Sequence, residues 1–116
     1  MRKVLLVLAV SMGISGSTFA FNLSFMQYSS TYYFTKSDWA ISEKTAMRAL
    51  NSARDNTKVS WSNPETKANG YFMPFNTTTQ NGLKCRKMEI VSQAHGVPGQ
   101  SIYRFCKIRG EWKITN

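Results

Sequence analysis

Two runs of strand-forming residues in the C-terminal third of the chain flank a Gly- and Pro-rich segment at positions 95–99. This composition predicts the reversal of a β-hairpin at that segment. Pairing the two runs about the reversal puts Met88, Ile90, Tyr103 and Phe105 on one face together with Arg86. The other face carries the two cysteines, Lys87, Glu89 and Arg104. Because an antiparallel sheet commonly buries one face, this apolar face is the predicted core face.

A third strand is predicted directly after this hairpin. The dipeptide Arg109-Gly110 is typical of a two-residue hairpin turn, and the strand Glu111–Thr115 follows it. Pairing through this turn places Trp112 and Ile114 on the same side as the predicted core face. The two turns therefore agree on which face of the sheet is buried, as expected of a sequence that specifies one structure.

Two more strands are predicted upstream, at residues 57–61 and 70–77. They flank the segment SNPETKAN, whose Ser, Asn, Pro and Thr residues are typical of a turn. Pro74 lies within the second of these strands. Because proline has no N–H group to donate to a neighbouring strand, we expect Pro74 at an edge of the sheet or at a bulge.

One helix is predicted, from Ser37 to Arg54, ahead of all the strands. Thr35 together with Asp38, or Ser37 alone, supplies the N-terminal cap. An apolar stripe at helical spacing is typical of a face buried against a sheet. The predicted fold is α+β, with this helix packed on an antiparallel β-meander of four to five strands. The stripe consists of Trp39, Ala46, Met47, Leu50 and Ala53.

The chain opens with Arg2 and Lys3, an apolar run over residues 4–10, and the small-residue sequence Thr18-Phe19-Ala20. This layout is typical of a secretory signal peptide over residues 1–20, cleaved between Ala20 and Phe21. The alternative is an uncleaved membrane anchor. It is disfavoured because polar and glycine residues interrupt the segment, whereas a spanning helix needs about 20 predominantly apolar residues.

The predicted mature chain has two parts: an aromatic N-terminal arm over residues 21–35 and an α+β domain over residues 36–116. The arm, FNLSFMQYSSTYYFT, carries no charge and many aromatic side chains. We expect it to complete the core by lying across the sheet or the helix. The alternative is an exposed apolar patch that contacts a membrane or a partner protein.

Cys85 and Cys106 are the two cysteines of the chain, and each lies part of the way along one strand of the predicted hairpin. Directly opposed residues of an antiparallel pair have Cα atoms about 4.5 Å apart when they share no hydrogen bonds. In an exported chain this arrangement predicts a disulfide that clamps the hairpin and contributes roughly 3 kcal/mol of stability. Two alternatives are a zinc site that includes His95 and a catalytic thiol beside Arg86 and His95.

The chain is strongly basic, with 15 Lys and Arg residues against 6 Asp and Glu residues and a formal net charge of +9. Removing residues 1–20 takes away Arg2 and Lys3 and leaves +7. A basic sheet attracts polyanions, so the expected partner is an anionic envelope component or an envelope protein, with peripheral membrane association as one possibility. A solvated face without a partner is the alternative, and nucleic acid is not expected because no nucleic-acid-binding motif is present. The candidate binding residues are Lys84, Lys87, Arg104, Lys107, Arg109 and Lys113.

No catalytic motif stands out in the sequence. The acidic residues of the predicted mature chain are dispersed, and no serine occurs in a G-x-S-x-G or S-x-x-K context. The sequence therefore favours a protein that is not an enzyme and needs no metal or cofactor. A hydrolase whose site assembles from distant residues is the catalytic alternative.

Four stretches resemble the pattern of the bacterial 17 kDa surface-antigen domain family: FMQYSSTYYFTKSDW, WSNPETKANGYFMP, GLKCRKM and RFCKIRGEWKI. Lys67 and Arg109 depart from that pattern, which has Gly and Asp at these places. The resemblance implies an exported envelope or surface protein with no catalytic residues, in which the shared positions serve the scaffold. These positions are Trp61, Asn63, Pro64, Thr66, Gly70, Gly82, Cys85, Arg86, Cys106, Gly110 and Trp112.

The expected function is that of an exported bacterial cell-envelope or surface protein with a non-catalytic binding or structural role. Its expected location is the periplasm, the outer-membrane surface or the extracellular medium. The alternative is a secreted inhibitor of a hydrolase, such as a lysozyme or a protease. In that case the segment SNPETKAN or the segment QAHGVPGQ would enter the active site of the target.

Overall fold

An antiparallel meander of five strands carries one α-helix on one of its faces in the computed structural model, which describes residues 30–115. The predicted signal peptide, its cleavage site at Ala20 and Phe21, and residues 21–29 of the predicted arm lie outside the described residues. Strand order in the sheet follows chain order. The elements are a 3-10 helix (Ser30–Tyr33), α1 (Lys36–Ser52), β1 (Val59–Ser62), β2 (Asn69–Gln80), β3 (Leu83–Ala94), β4 (Val97–Ile108) and β5 (Glu111–Thr115).

The predicted α+β fold is confirmed, and so is the register of the central hairpin. Cys85 lies opposite Cys106 and Met88 lies opposite Tyr103 across β3 and β4. The reversal is tighter than the sequence suggests, because only His95 and Gly96 separate the two strands, both with positive φ. Pro98 and Gly99 therefore belong to β4, where the long pairing with β3 outweighs their preference for turns.

Helix α1 begins one residue before the predicted start and ends two residues before the predicted end. Thr35 is the N-cap, and its side chain and that of Asp38 form the reciprocal hydrogen bonds of a capping box. The helix packs on β1 and β2. Small side chains dominate the buried face and let the helix lie close to the sheet; the buried residues are Asp38, Ser42, Thr45, Ala46, Ala49 and Leu50.

Pro74 occupies an edge position, as predicted. Strand β1 pairs with β2 only from Val59 opposite Phe72 to Ser62 opposite Asn69, so Pro74 lies beyond its end. The register of β2 against β3 shifts shortly after Pro74. The missing N–H group of Pro74 therefore costs no hydrogen bond between strands.

The core lies between α1 and one face of the sheet. Gly70 is required at its position, because a Cβ atom there would collide with the carbonyl oxygen of Val91. The 3-10 helix lies against the same face, where the hydroxyl groups of Ser30 and Ser92 are 2.6 Å apart. The large buried apolar side chains come from every strand and the helix: Leu50, Trp61, Phe72, Met88, Ile90, Phe105 and Trp112.

Candidate anion-binding face of the sheet

The face of the sheet opposite α1 carries the residues that best fit a binding function, and we call it the open face. Its members follow from the register, because directly opposed residues of neighbouring strands point to the same side. They alternate with the core residues along each strand. The central part of the open face consists of Tyr71, Met73 and Phe75 of β2, Cys85, Lys87, Glu89 and Val91 of β3, Gln100, Ile102, Arg104 and Cys106 of β4, and Lys113 and Thr115 of β5.

Three basic side chains group around the disulfide on this face. Lys87 lies directly opposite Arg104, and Lys113 lies opposite Cys106 on the next strand. Like charges that face each other across a strand pair destabilise a sheet. The direct opposition of Lys87 and Arg104 is therefore unfavourable for the sheet on its own and concentrates positive charge beside the disulfide.

The nearby hydrogen-bonding groups hold these cations in place without neutralising all of them. Arg104 donates from Nη1 to Thr115 Oγ1 at 2.9 Å, which is a neutral partner. Lys113 Nζ lies 3.8 Å from a carboxylate oxygen of Glu111, and both side chains are about half exposed. An exposed pair of this kind contributes about 0–1 kcal/mol. The cations remain accessible to a ligand.

Glu89 is an acidic residue on the open face, and neutral groups hold its carboxylate. Tyr71 donates its hydroxyl at 3.1 Å and Gln100 donates Nε2 at 2.9 Å. Burial raises the pKa of Tyr71, and the hydrogen bond and charge of Glu89 raise it further. The donors that hold the Glu89 carboxylate are therefore neutral, and the carboxylate is not held by an ion pair with Lys87.

Apolar side chains occupy much of the rest of the open face. Ile102 is 57% exposed and lies directly opposite Glu89, with the partly buried Val91 diagonal to it. Lys58 places its Nζ atom 4.5 Å from the centre of the Tyr71 ring, at the border of this apolar half. The basic and apolar halves are contiguous, because Phe75 lies opposite Lys87. The apolar half consists of Tyr71, Met73, Phe75, Val91 and Ile102.

The structure brings together only half of the basic residues predicted as a binding group. Lys84 lies on the core side of β3 and lines a groove at the end of α1. Lys107 extends over the ring of Trp112, with its Nζ atom 5.7 Å from the ring centre. Arg109 lies in the turn before β5, with a φ of 54°. These three share one end of the sheet with the open-face cations but do not line the same face.

Arg86 is a structural residue. Its side chain is buried, and its guanidinium donates to the backbone carbonyls of Ala49, Leu50 and Ala53 at 2.6–3.1 Å. These carbonyls lie at the C-terminal end of α1, where carbonyls run out of helical partners; Ala49 also accepts the backbone N–H of Ala53. A cation is also favoured there by the helix dipole. The alternative in which Arg86 assists a catalytic thiol has no support in this geometry.

Asp55 completes the arrangement at the end of α1. The side chain and backbone N–H of Thr77 donate to its carboxylate, and Arg86 Nη2 lies 3.0 Å from it. Hydrogen bonds from Thr77 lower the pKa of Asp55 most; burial opposes them, and Arg86 adds to the lowering. A groove of about 360 Å³ runs beside this pair. Asp55 and Arg86 are held by each other and by their hydrogen bonds, while the exposed Arg54 and Lys84 also line the groove.

The segment predicted as the turn SNPETKAN is tied to the start of α1. Asn63 Nδ2 and Thr66 Oγ1 each donate to Asp38 Oδ1 at 2.7 Å. Burial alone would raise the pKa of Asp38, but hydrogen bonds from Thr35, Thr66 and Asn63 outweigh it and lower the pKa. Pro64 at the tip is exposed. Asn63 and Thr66 thus serve the scaffold, and the loop is held rigidly.

The remaining motif positions also have structural places. Gly82 and Gly110 occupy turns at positive φ. Trp112 donates from Nε1 to Asn51 Oδ1 at 2.8 Å and so ties β5 to the helix. Trp61 is buried in the core, and its Nε1 atom has no hydrogen-bond partner.

The predicted disulfide is present, with Cα atoms 4.0 Å apart. Because Cys85 and Cys106 are bonded to each other, neither is a zinc ligand nor a nucleophilic thiol in this form. Within residues 30–115, no cluster of three or more His, Cys, Asp and Glu side chains is placed to hold a metal ion. In the same range, no helix is long and apolar enough to span a membrane.

Comparison with known proteins gives no match among protein-family models, curated proteins or solved structures. The resemblance to the 17 kDa surface-antigen domain stays a prediction. Sequence reasoning named the basic residues but missed the apolar half of the open face. Its signal is present in the sequence, because Tyr71, Met73 and Phe75 alternate with the residues that face the core.

Proposed function

We propose that this protein is exported to the bacterial cell envelope and acts there by non-catalytic binding of an anionic component through the open face. The observation that carries the proposal is the direct opposition of Lys87 and Arg104, with Lys113 beside them. This arrangement costs stability, and an anionic partner would relieve the repulsion. The described residues 30–115 carry thirteen basic and six acidic residues, which adds a general attraction for anions.

Two observations support export. The first 20 residues have the layout of a signal peptide. The disulfide between Cys85 and Cys106 favours an oxidising compartment, because the cytosol keeps most thiols reduced. The proposed location is the periplasm, the outer-membrane surface or the medium. Membership of the 17 kDa surface-antigen family would be consistent with this location and is part of the proposal.

Binding to a soluble polyanion tests the proposed function. We expect the mature protein to bind dextran sulfate with an affinity that falls as salt is added, because salt screens exposed charges. The triple variant Lys87→Gln, Arg104→Gln, Lys113→Gln should bind about tenfold more weakly or worse. Fluorescence anisotropy of labelled dextran sulfate measures both effects.

A matched variant separates the open face from net charge. Lys36→Gln, Lys44→Gln and Arg48→Gln also remove two lysines and one arginine, but from exposed positions on α1. This control should retain most of the affinity. Equal losses of affinity in the two triple variants would show that binding depends only on net charge and would contradict the open face as the binding surface. An absence of binding at low salt would overturn the proposed function itself.

Inhibition of a secreted hydrolase is a second candidate function, favoured by the rigidity of the loop between β1 and β2. Asn63 and Thr66 fix this loop to Asp38, while Pro64 and Glu65 at its tip are exposed. A loop fixed in advance loses little entropy on binding. The other loop weighed for this role, QAHGVPGQ, is a two-residue turn flanked by strands and is too short to enter a cleft. Inhibition assays with lysozymes and proteases test this function, and a loss of inhibition on Pro64→Ala would support it.

A further inference from the structure

We propose that the anionic partner is the surface of a lipid bilayer, on which the open face lies flat, with Ile102 and its apolar neighbours entering the boundary between headgroups and acyl chains. The inference rests on the proposed function, since it names the partner of the same face. Its support is the composition of the face: cationic side chains lie around the disulfide, apolar side chains lie beside them on the same surface of the sheet, and the carboxylate of Glu89 between them is held by neutral donors.

The geometry matches a planar partner. Residues i and i+2 on one strand lie about 6.6 Å apart and neighbouring strands about 4.8 Å apart, so the apolar side chains of β2 form a row with Val91 of β3 beside it. Ile102 of β4 is 57% exposed, and Glu89, whose carboxylate is held by Tyr71 and Gln100, lies between it and Met73. Lys58 and Tyr71 lie at the border of the apolar half, with the ammonium group over the ring. Long amphipathic side chains at such a border suit an interface between water and lipid.

Charge complementarity favours an anionic lipid surface over a second copy of the chain. Two open faces stacked on each other would add the repulsion of two cationic halves to the repulsion already present between Lys87 and Arg104. A bilayer that contains anionic headgroups neutralises those charges and covers the apolar half at the same time. A purely hydrophilic polyanion would leave Ile102, Phe75 and Met73 in contact with water.

Vesicle binding tests the inference. We expect the mature protein to cosediment with phosphatidylcholine vesicles that contain about one-third phosphatidylglycerol, and to bind pure phosphatidylcholine vesicles far more weakly. The variant Ile102→Asp should bind the anionic vesicles about tenfold more weakly or worse, because it removes an apolar side chain from the contact. Its affinity for dextran sulfate should stay close to that of the variant Ile114→Asp.

Ile114→Asp is the matched control. Ile114 is also an isoleucine on a strand and is 40% exposed, but it lies on the opposite face of the sheet, where it pairs with Phe105. The two variants add the same net charge but on different faces, so their affinities for dextran sulfate measure the effect of where the charge lies, and a difference in vesicle binding beyond that effect reports the apolar contact. Circular dichroism and thermal unfolding establish that each variant is folded.

Depth of insertion gives an independent measurement. In Ile102→Trp, anionic vesicles with brominated acyl chains should quench the new indole fluorescence, whereas the background change in Ile114→Trp should be smaller. Equal vesicle affinities for Ile102→Asp and Ile114→Asp, or equal quenching in the two tryptophan variants, would overturn the lipid inference. Binding to dextran sulfate without binding to anionic vesicles would also overturn it while leaving the proposed function standing. Failure to bind either probe would overturn both.

Discussion

Arg86 shows how a charged residue serves the core of a small fold. Arg86 lies on β3 between two residues of the open face, so its side chain points to the opposite, helix-covered face and reaches the end of α1. The guanidinium supplies several N–H donors in a fixed plane, which suits a set of helix carbonyls better than an ammonium group would. The burial of this charge is offset by hydrogen bonds to charged and polar acceptors.

Removal of this guanidinium should destabilise the whole fold. We expect Arg86→Ala to lower the free energy of unfolding by about 3 kcal/mol or more, because it removes the donors to the carbonyls of Leu50 and Ala53 and leaves Asp55 without its ion pair. Arg86→Lys should fall between wild type and Arg86→Ala. Arg48 on α1 is exposed, and Arg48→Ala should change stability by less than about 0.5 kcal/mol. Urea unfolding at neutral pH measures all three, and a loss below about 1 kcal/mol for Arg86→Ala would contradict the assigned role.

Two buried tryptophans provide a second comparison between single residues. Trp112 donates to Asn51, whereas the Nε1 atom of Trp61 has no partner. Replacement by phenylalanine removes the same atoms at both positions. Trp112→Phe also breaks a hydrogen bond, while Trp61→Phe removes an unsatisfied donor. We therefore expect Trp112→Phe to cost about 1 kcal/mol more than Trp61→Phe, as measured by urea unfolding. Equal losses, or a larger loss at Trp61, would contradict the hydrogen-bond assignment.

Among the elements, the strands and the central turns follow from local pattern. Alternation with a period of two set the faces of β3 and β4, and the positions of Cys85 and Cys106 fixed their register. The capping box of α1 was also readable, because Thr35 and Asp38 have the required spacing. The polar side chains on the buried face of α1 were not predicted. The hydroxyl of Ser42 donates to the carbonyl of Trp39, and that of Thr45 donates to the carbonyl of Ile41. A search for apolar residues at helical spacing does not detect polar residues that are buried in this way.

Asp38 at the start of α1 accepts hydrogen bonds from Asn63 and Thr66 of the loop after β1, and these bonds predict that stability depends on pH. Because the folded-state pKa of Asp38 is lowered, its contribution is fully present above the ordinary Asp pKa and is lost as pH falls through the lower folded value. Asp38→Asn should reduce the free energy of unfolding by about 1–3 kcal/mol at neutral pH. The difference from wild type should shrink below about pH 4.

Urea unfolding at pH 7, 4 and 2 measures this prediction, on the scale set by the usual Asp pKa of about 3.9. Glu65→Gln serves as the control, because Glu65 is an exposed acidic residue in the same loop. Its effect on stability should stay small at every pH. A difference between Asp38→Asn and wild type that grows in acid would contradict the sign derived from the lowered pKa.

At the scale of the whole molecule, the sheet separates two roles. One face packs on α1 and holds the core, while the other face presents the disulfide, a cationic half and an apolar half. The crowding of basic residues in the C-terminal hairpins was evident from the sequence. The register predicted for the central hairpin also placed Lys87 and Arg104 on the cysteine face, whereas the apolar half became visible only when β2 was aligned with β3. Such an alignment joins residues that are distant in sequence, so no local pattern contains it.

Export and the disulfide make a joint prediction for the whole chain. Native protein recovered from the periplasmic fraction or the medium should lack residues 1–20, begin at Phe21, and weigh two hydrogens less than the reduced chain. Intact-mass spectrometry without reductant measures both changes. A full-length chain in the membrane fraction would instead identify the first segment as an anchor.

Since the bridge joins residues separated by 21 positions, Cys85→Ala with Cys106→Ala should lower the free energy of unfolding by roughly 3 kcal/mol. A negligible loss would mean that the hairpin is held by its strand pairing alone.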